Sequence, residues 1–340
     1  MNALIFVVAF CIVAVLVYMA RYSGRLRAAQ SRTIAAPPGA VYAHIADLRR
    51  WQAWNPWLEH EPDVPLTLSE RSDVVGSSLA WDSTRIGSGR IVTSRLKPPG
   101  LLEQKMVFRQ PFRFRGRAQW QLAPRDGGTE VSWSFRGRVG FTMRAFAPTV
   151  QGMVALDLRY GLDRLAAAAE PGGAMAYSIS YLGPREVAAT RYACLTYRGP
   201  LDGLPEAVPA TIASARQQLS AAGEREIGDP VAIYVKTQVK QRTTECRIGV
   251  AIDPLTGGAG LGELRVHEIP AHRAYVVRLQ GSAKGMEIAW YHAMQRMRVE
   301  NLEPDLRIAP FERYSADPLA PGGSVAELHI AIRQPTATSA

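Results

Sequence analysis

Residues 34–57, IAAPPGAVYAHIADLRRWQAWNPW, decide the fold of the first half of the chain. The Pro-Pro-Gly triplet predicts a turn that leads into a helix, because proline is favoured in the first helical turn. Val41, Ile45 and Leu48 are spaced so that they share one face of that helix. Three tryptophans follow at regular intervals, and Pro56 prevents the helix from continuing. We therefore expect a short amphipathic helix followed by an aromatic cluster that packs in a core.

Farther along the chain, two segments alternate with a period of two. Residues 112–122 place apolar side chains between Arg and Gln, and residues 131–138 place Val, Trp and Phe between Ser and Arg. The sequence PRDGG at 124–128 is typical of a hairpin turn. These features predict an antiparallel hairpin with one apolar and one basic face. A helix should close this half, with an apolar face made of Val150, Met153, Val154, Leu158, Leu162 and Leu165.

Residues 31–170 resemble the polyketide cyclase/dehydrase branch of the START-like (SRPBCC) superfamily. The resemblance rests on the segment at 34–57, the late strand GTEVSW and the closing helix GLDRLAAAAE. It implies a helix-grip fold, in which an antiparallel sheet wraps a long C-terminal helix and an apolar cavity lies between them. It does not imply one chemistry, because cyclases, lipid carriers and sensors share this fold.

The second half contains an internal repeat. Residues 186–253 predict a strand, the turn RGPLDG, a helix and two further strands. Residues 264–333 predict the same order, with the turn QGSAKG in the corresponding place. Two β-α-β-β units that share one apolar face would bury a common core and leave a groove on the axis between them.

Residues 175–335 resemble the GyrI-like effector-binding domain, the ligand module of AraC-type activators and multidrug-binding regulators. The matching segments are TYRGPLDGL, DPVAIYV, HRAYVVRLQGS, IAWYHAM and FERY followed by DP, whereas QGSAKG departs from the family's usual Gly-Pro-Tyr-type turn. In that family the glutamate of the FERY-type strand lies at the floor of an aromatic-lined groove. The resemblance therefore implies a ligand-binding set of Glu312, Tyr197, Tyr234, Tyr275, Trp290 and Tyr314.

Three roles are open to Glu312, two on chemical grounds and one implied by the resemblance. A carboxylate among aromatic side chains is costly to bury unless it is paired. A cationic ligand can supply the pairing, and Tyr or Trp faces then add ~0.5–2 kcal/mol each. Alternatively, Arg191 or Arg278 pairs with Glu312 and the contact is purely structural. Some GyrI-like proteins hydrolyse electrophiles, which implies a third role, with Glu312 as general base and Tyr275 as hydrogen-bond donor.

The N-terminal residues 3–20, ALIFVVAFCIVAVLVYMA, contain no charged residue, proline or glycine. As a helix they would rise ~27 Å, close to the ~30 Å thickness of a bilayer's hydrocarbon core. Arg21, Arg25 and Arg27 follow. We therefore expect a transmembrane anchor at 1–22 and, by the positive-inside rule, a body on the cytoplasmic side of the inner membrane. The alternative, a cleaved signal peptide, would carry a basic residue before the apolar run.

Composition and missing motifs exclude several classes of protein. Forty Lys and Arg against 30 Asp and Glu give a net charge of +10. No basic recognition helix or aromatic platform accompanies this charge, so direct nucleic-acid binding is not predicted. Three cysteines without a CxxC pair argue against a disulfide scaffold and a cysteine zinc site. The sequence has no P-loop, GxSxG, HExxH or correctly placed Rossmann motif, and it predicts neither a metal nor a cofactor.

Together these features predict an α+β protein. It would comprise a transmembrane helix at 1–22, a START-like domain at 31–170, a linker at 171–174 and a duplicated GyrI-like domain at 175–335. The expected function is a membrane-anchored protein that binds or senses amphipathic or cationic aromatic small molecules, with binding favoured over catalysis and the question of catalysis left open. The alternatives are a hydrolase or cyclase acting on a polyketide-like or electrophilic metabolite, and a lipid carrier.

Overall fold

The computed structural model describes residues 13–21, 23–110, 113–255, 260–315 and 324–333. The chain divides into two compact units, Met1–Met175 and Ala176–Ala340. Each unit contains helices and one antiparallel sheet, so the predicted α+β class is correct.

The first unit combines a seven-stranded antiparallel sheet with one long helix. Its strands are β1 (Arg25–Ile34), β2 (Leu66–Leu68), β3 (Ser78–Ser83), β4 (Gly87–Lys97), β5 (Leu101–Gln110), β6 (Phe114–Arg125) and β7 (Gly128–Val139). Its helices are α1 (Pro38–Ala46), α2 (Trp51–Trp54) and α3 (Ala147–Ala169), with 3-10 turns at Leu48–Arg50, Leu58–His60 and Phe141–Phe146. The strand order is β1-β7-β6-β5-β4-β3-β2. A long C-terminal helix packed on such a sheet fits the predicted helix-grip fold.

The predicted hairpin is confirmed as strands β6 and β7. Two residues, Asp126 and Gly127, connect them, and Gly127 has a φ of 81°, where glycine is unstrained. Trp120 lies directly opposite Trp133, and both side chains are buried on the inner face. The period-two pattern therefore predicted the correct register, because a slip by one residue would have exposed both indoles.

Helix α3 closes the inner face and also covers the edge strand β1. Its buried apolar residues include Leu158, Leu162 and Leu165. The Gln151 side chain accepts a hydrogen bond from the backbone N–H of Arg27 at 3.2 Å, and Asp163 forms a salt bridge with Arg32. The first contact occupies a backbone N–H of an edge strand that would otherwise be open to pairing with another chain, and the second ties the helix to the same strand.

The N-terminal prediction is contradicted. Residues 13–20 are helical, but among the described residues no helix is both long and apolar enough to cross a membrane. This finding overturns the transmembrane anchor at 1–22 and the single-pass inner-membrane location inferred from it. Residues 1–12 and residue 22 of that segment lie outside the described residues.

Two of the three arginines that were expected to flank a membrane belong to a strand instead. Arg25 and Arg27 alternate with the buried Leu26 and Ala28 in β1. This strand pairs with β7 along its whole length. The same period of two that identified the hairpin is therefore also present in β1, beside the apolar N-terminal segment.

The second unit is built on an eight-stranded sheet. Its strands are β8 (Tyr177–Val187), β9 (Thr190–Pro200), β10 (Glu226–Gln238), β11 (Thr243–Ile252), β12 (Arg265–Ile269), β13 (His272–Gly281), β14 (Phe311–Tyr314) and β15 (Ser324–Ala331). Its helices are α4 (Leu204–Ala221) and α5 (Met286–Val299), preceded by 3-10 turns at Leu201–Gly203 and Ala283–Gly285. The strand order is β12-β9-β11-β10-β14-β15-β13-β8.

The internal repeat appears as two β-α-β-β units, β9-α4-β10-β11 and β13-α5-β14-β15. They join where β10 pairs with β14, and we call this strand pair the seam. Two details differ from the prediction, since the strand expected from residue 186 onward is divided between β8 and β9, and residues 264–279 form two strands rather than one. Pro270 lies in the second of these breaks, and proline cannot donate a hydrogen bond to a strand ladder.

Candidate functional site

Glu312 lies on β14 at the seam between the two repeats. Its strand neighbours are Ala232 of β10 on one side and Leu328 of β15 on the other. Only 2% of Glu312 is exposed, and both neighbours are fully buried. A carboxylate in this position needs hydrogen-bond donors from the protein or from a ligand, because water does not reach it freely.

Three neutral side chains donate hydrogen bonds to the Glu312 carboxylate. The Tyr234 hydroxyl donates to Oε1 at 2.6 Å, and the Trp290 indole N–H donates to the same oxygen at 2.5 Å. The Tyr314 hydroxyl, on the same strand, donates to Oε2. The donors come from β10, α5 and β14, so elements of both repeats hold the carboxylate.

The two other tyrosines of the predicted set bond elsewhere. The Tyr275 hydroxyl donates to Oε1 of Glu300 at 3.0 Å. The Tyr197 hydroxyl donates to the backbone carbonyl of Pro200 at 2.8 Å. The structure therefore places Tyr234, Trp290 and Tyr314 on Glu312, and it places the hydroxyls of Tyr275 and Tyr197 on other acceptors.

The arginines considered as structural partners of Glu312 also bond elsewhere. Arg278 pairs with Glu327 at 2.7 Å, and Arg191 donates to the carbonyl of Pro254. Among the described residues, no salt bridge includes Glu312. The ion-pair alternative is therefore not what the structure contains.

Burial raises the pKa of Glu312, and the hydrogen bonds from Tyr234, Tyr314 and Trp290 partly offset that rise. Burial and the nearby Glu312 carboxylate also hold the pKa values of Tyr234 and Tyr314 well above the usual range for a phenol. Both phenols consequently remain protonated donors at neutral pH. Glu312 is the group of this cluster whose charge changes most readily.

Aromatic rings cover the carboxylate on the side of α5. The rings of Tyr234 and Trp290 meet edge to face, with centroids 5.4 Å apart, and both side chains are half-buried. Cys246, which the sequence did not single out, lies directly opposite Tyr234 on β11 and is fully buried. The sequence signal that could have identified Cys246 as buried is its place in the alternating pattern of inward-facing residues along β11. The cluster is thus an acidic group behind an aromatic cover.

The interior of the first unit is filled by aromatic side chains rather than left empty. Trp120 and Trp133 stack with ring centroids 4.0 Å apart, and Trp54 meets them edge-on at 5.6 and 5.9 Å. Trp51 and Trp54 are almost fully buried. The larger cavity found in this unit, about 940 Å³, lies near the ends of β5, β6 and β7. The tryptophan cluster of the sequence therefore forms core packing.

Polar groups line the same interior. The Trp57 indole donates to Asp157 of α3 at 2.8 Å, and Asp157 is only 4% exposed. Gln104 accepts from the Trp120 indole at 3.4 Å, while its Nε2 and the indole nitrogen of Trp133 have no hydrogen-bond partner among the described residues. The sequence analysis did not single out Asp157. Its place beside Val154 and Leu158 on the apolar face of α3 was the signal that its carboxylate is buried.

No three His, Cys, Asp or Glu side chains in the described ranges are grouped in a way that could hold a metal ion. The Glu312 cluster contains one carboxylate and neutral donors, so its chemistry suits a cation or an electrophile. It offers no further anionic ligand for a metal.

The family model that matches this chain covers the first unit. Residues 25–170 match the family model described as polyketide cyclase / dehydrase and lipid transport. No curated protein matches the chain. One similar solved structure is protein CV1439 from Chromobacterium violaceum, with 18% identity over 44% of this chain and 98% of that chain, at a TM-score of 0.32. Another is the Aha1 dimer from Colwellia psychrerythraea, with 16% identity over 44% and 99% of the chains, at a TM-score of 0.32. A third is StfQ, the di-domain ARO/CYC of the steffimycin biosynthetic pathway, with 16% identity over 43% and 50%, at a TM-score of 0.32.

The family match begins at β1 and ends after α3, so it includes the strand that the sequence had assigned to a membrane flank. The resemblance of residues 175–335 to the GyrI-like family is not confirmed by these comparisons and stays a prediction. Residues 25–170 form a domain similar to the polyketide cyclase/dehydrase family.

Proposed function

We propose that this chain binds a small organic molecule, and that the second unit contacts its cationic or amphipathic aromatic part through Glu312. One observation carries the proposal: among the described residues, the buried carboxylate at the seam is held by the neutral donors Tyr234, Trp290 and Tyr314 and by no cation. A buried charge without a cationic partner is unfavourable, so an incoming cation gains free energy there. The polyketide cyclase/dehydrase-like fold of the first unit supports small-molecule binding or cyclase activity for the chain in general terms.

The aromatic cover supports the same class of ligand. The Tyr234 and Trp290 rings lie beside the carboxylate, and a cation that also contacts a face of either ring gains ~0.5–2 kcal/mol per contact. The predicted GyrI-like resemblance implies the same role for Glu312. A flat aromatic cation would therefore satisfy both the charge and the shape of the cluster.

We expect a cationic aromatic dye to bind the full chain about tenfold more tightly than neutral or anionic dyes of similar size. Such a ratio corresponds to ~1.4 kcal/mol, the lower range for a charge-assisted contact. Fluorescence titrations of the three dyes measure it. Equal affinity for the neutral and cationic dyes would contradict the proposed role of Glu312. Appearance of a product from an electrophilic ligand would instead favour the hydrolase alternative.

The affinity for the cationic dye should rise with pH. The ordinary pKa of a glutamate is 4.5, and burial raises that of Glu312, so the carboxylate forms only above this value. The stability of the free protein should change with pH in the opposite direction to the dye affinity. Because the pKa of Glu312 is raised, its protonated form stabilises the fold, and this contribution is lost as pH rises through the folded pKa. Cys246, with a pKa raised to about 12, and the two phenols stay protonated. Titrations between pH 4 and 8 check this, and binding of the neutral dye should stay flat.

The first unit carries a second candidate function, binding or cyclisation of a polyketide-like molecule or carriage of a lipid. The observation in its favour is the family match, together with the inward-facing Gln104 and Trp133, which retain unbonded polar atoms. Because aromatic side chains fill this interior, a ligand with a carbonyl or hydroxyl group would bond to these atoms only where the packing around Trp133 opens. Native mass spectrometry of the chain isolated directly from cells tests this, since a retained molecule of defined mass identifies the ligand class. If the isolated chain carries no bound small molecule, this second function loses its support and the Glu312 site remains the candidate.

A further inference from the structure

The outer face of the first sheet carries two rows of cations that the fold assembles from distant parts of the sequence. In the first row Arg25 of β1 lies opposite Arg138 of β7, and Arg138 lies opposite Arg115 of β6. The second row runs parallel to it and comprises Arg27, Arg136, Arg117 and Lys105, which are successive partners across β1, β7, β6 and β5. All of these residues are exposed.

These rows are unfavourable for the free protein. Like charges directly opposite each other on neighbouring strands destabilise a sheet. Among the described residues, none of the cations in the two rows forms a salt bridge. The acidic residues nearest on this face are already engaged, since Glu103 pairs with Arg95 and Glu130 pairs with Arg125. A dense and uncompensated charge of one sign is therefore retained on a regular, solvent-facing surface.

From this arrangement we propose that the outer face of the first sheet binds the phosphate backbone of a nucleic acid. Four neighbouring strands span about 14 Å, and residues two apart on one strand are about 7 Å apart. Duplex DNA carries one negative charge per about 1.7 Å of its axis, so 14 Å of duplex presents about eight charges. The seven cations of the two rows therefore face a similar number of phosphate charges. An acidic protein that matched them would have to hold its own carboxylates as close together, which is unfavourable for that protein.

The side-chain chemistry fits phosphate as well. All but one of these cations are arginines, whose planar guanidinium groups bind phosphate oxygens in a bidentate manner. Gln119 and Ser134 continue the face beyond the second row, and no aromatic ring of β1, β6 or β7 lies on this side. Binding should therefore depend on contacts with the phosphate backbone of the nucleic acid and show little preference for base sequence. This differs from the expectation drawn from the sequence, which had no means of placing β1 beside β7.

Fluorescence anisotropy of the full chain with a labelled 20-base-pair duplex tests the proposal. We expect binding at 50 mM salt that weakens steeply up to 200 mM, as counterion release requires. The double variant Arg136→Gln/Arg138→Gln should reduce the magnitude of the negative slope of log K against log salt by about two and the affinity by about tenfold. The same variant should melt at a higher temperature than the unsubstituted chain, because it removes repulsion.

The control is Arg71→Gln/Arg85→Gln, which makes the same change in charge at two exposed arginines of the same unit outside the rows. It should leave both the slope and the affinity nearly unchanged. An equal loss in both double variants would overturn the proposal, as would an absence of duplex binding at 50 mM salt. Binding only to poly-glutamate, or only to vesicles of phosphatidylglycerol, would overturn it in favour of another anionic partner.

Discussion

Replacement of Glu312 by glutamine should lower the affinity for a cationic aromatic dye by about ten- to hundredfold and leave the fold intact. The loss corresponds to ~1.5–3 kcal/mol for a charge-assisted contact in a desolvated site. Glutamine keeps the size of the side chain, and its carbonyl oxygen can still accept from Tyr234 and Trp290, which both donate to Oε1. The Tyr314 hydroxyl can rotate so that it accepts from the new amide.

The melting temperature distinguishes this role from a structural one. Because burial raises the pKa of Glu312, its charge is a cost to the free protein, and removal of the charge should keep or increase the melting temperature. Glu268→Gln, at an exposed position on β12, makes the same change in net charge and should alter neither quantity. A clear fall in melting temperature together with unchanged dye affinity would mean that Glu312 is a structural group.

Much of the fold could be predicted because the period of two of a strand and the 3.6-residue period of a helix are both visible in short stretches of sequence. The alternation through Trp120 and Trp133 determined the hairpin register, and the paired turns RGPLDG and QGSAKG marked the two β-α-β-β repeats. That Glu312 and Tyr314 lie on one face of the same strand also followed from the order of residues in FERY. In each case the interaction depends on neighbours a few residues away.

The parts that could not be predicted depend on contacts between distant segments. The pairing of Arg25 with Arg138 requires knowledge that β1 lies beside β7, and the flanking apolar segment favoured another interpretation. Tyr275 was grouped with Glu312, yet its hydroxyl bonds to Glu300, because the strand order separates β13 from β14 by β15. Sequence patterns give the face of a residue, but its neighbour on the next strand depends on topology.

Helix α3 supplies the other large expected effect, through two glycines that differ only in what surrounds them. A Cβ atom at Gly161 would lie 2.7 Å from the Trp133 ring and 3.1 Å from Pro56, whereas a Cβ at Gly152 would meet nothing within 4 Å. Trp133 cannot retreat, because its other face stacks on Trp120. Overpacking of this kind costs about 1–3 kcal/mol. Alanine in place of an exposed helical glycine instead contributes about 1 kcal/mol of stability.

Gly161→Ala should therefore lower the melting temperature of the first unit, and Gly152→Ala should raise it, although both substitutions make the same chemical change in one helix. Leucine should enlarge the loss at 161, where the side chain must enter the tryptophan stack, and should be tolerated at the exposed position 152. Thermal melts followed by tryptophan fluorescence measure the order of the melting temperatures, since six of the seven tryptophans lie in the first unit. Equal shifts for the two alanine variants would mean that α3 does not press against Trp133, and that the interior has room for a ligand beside the helix.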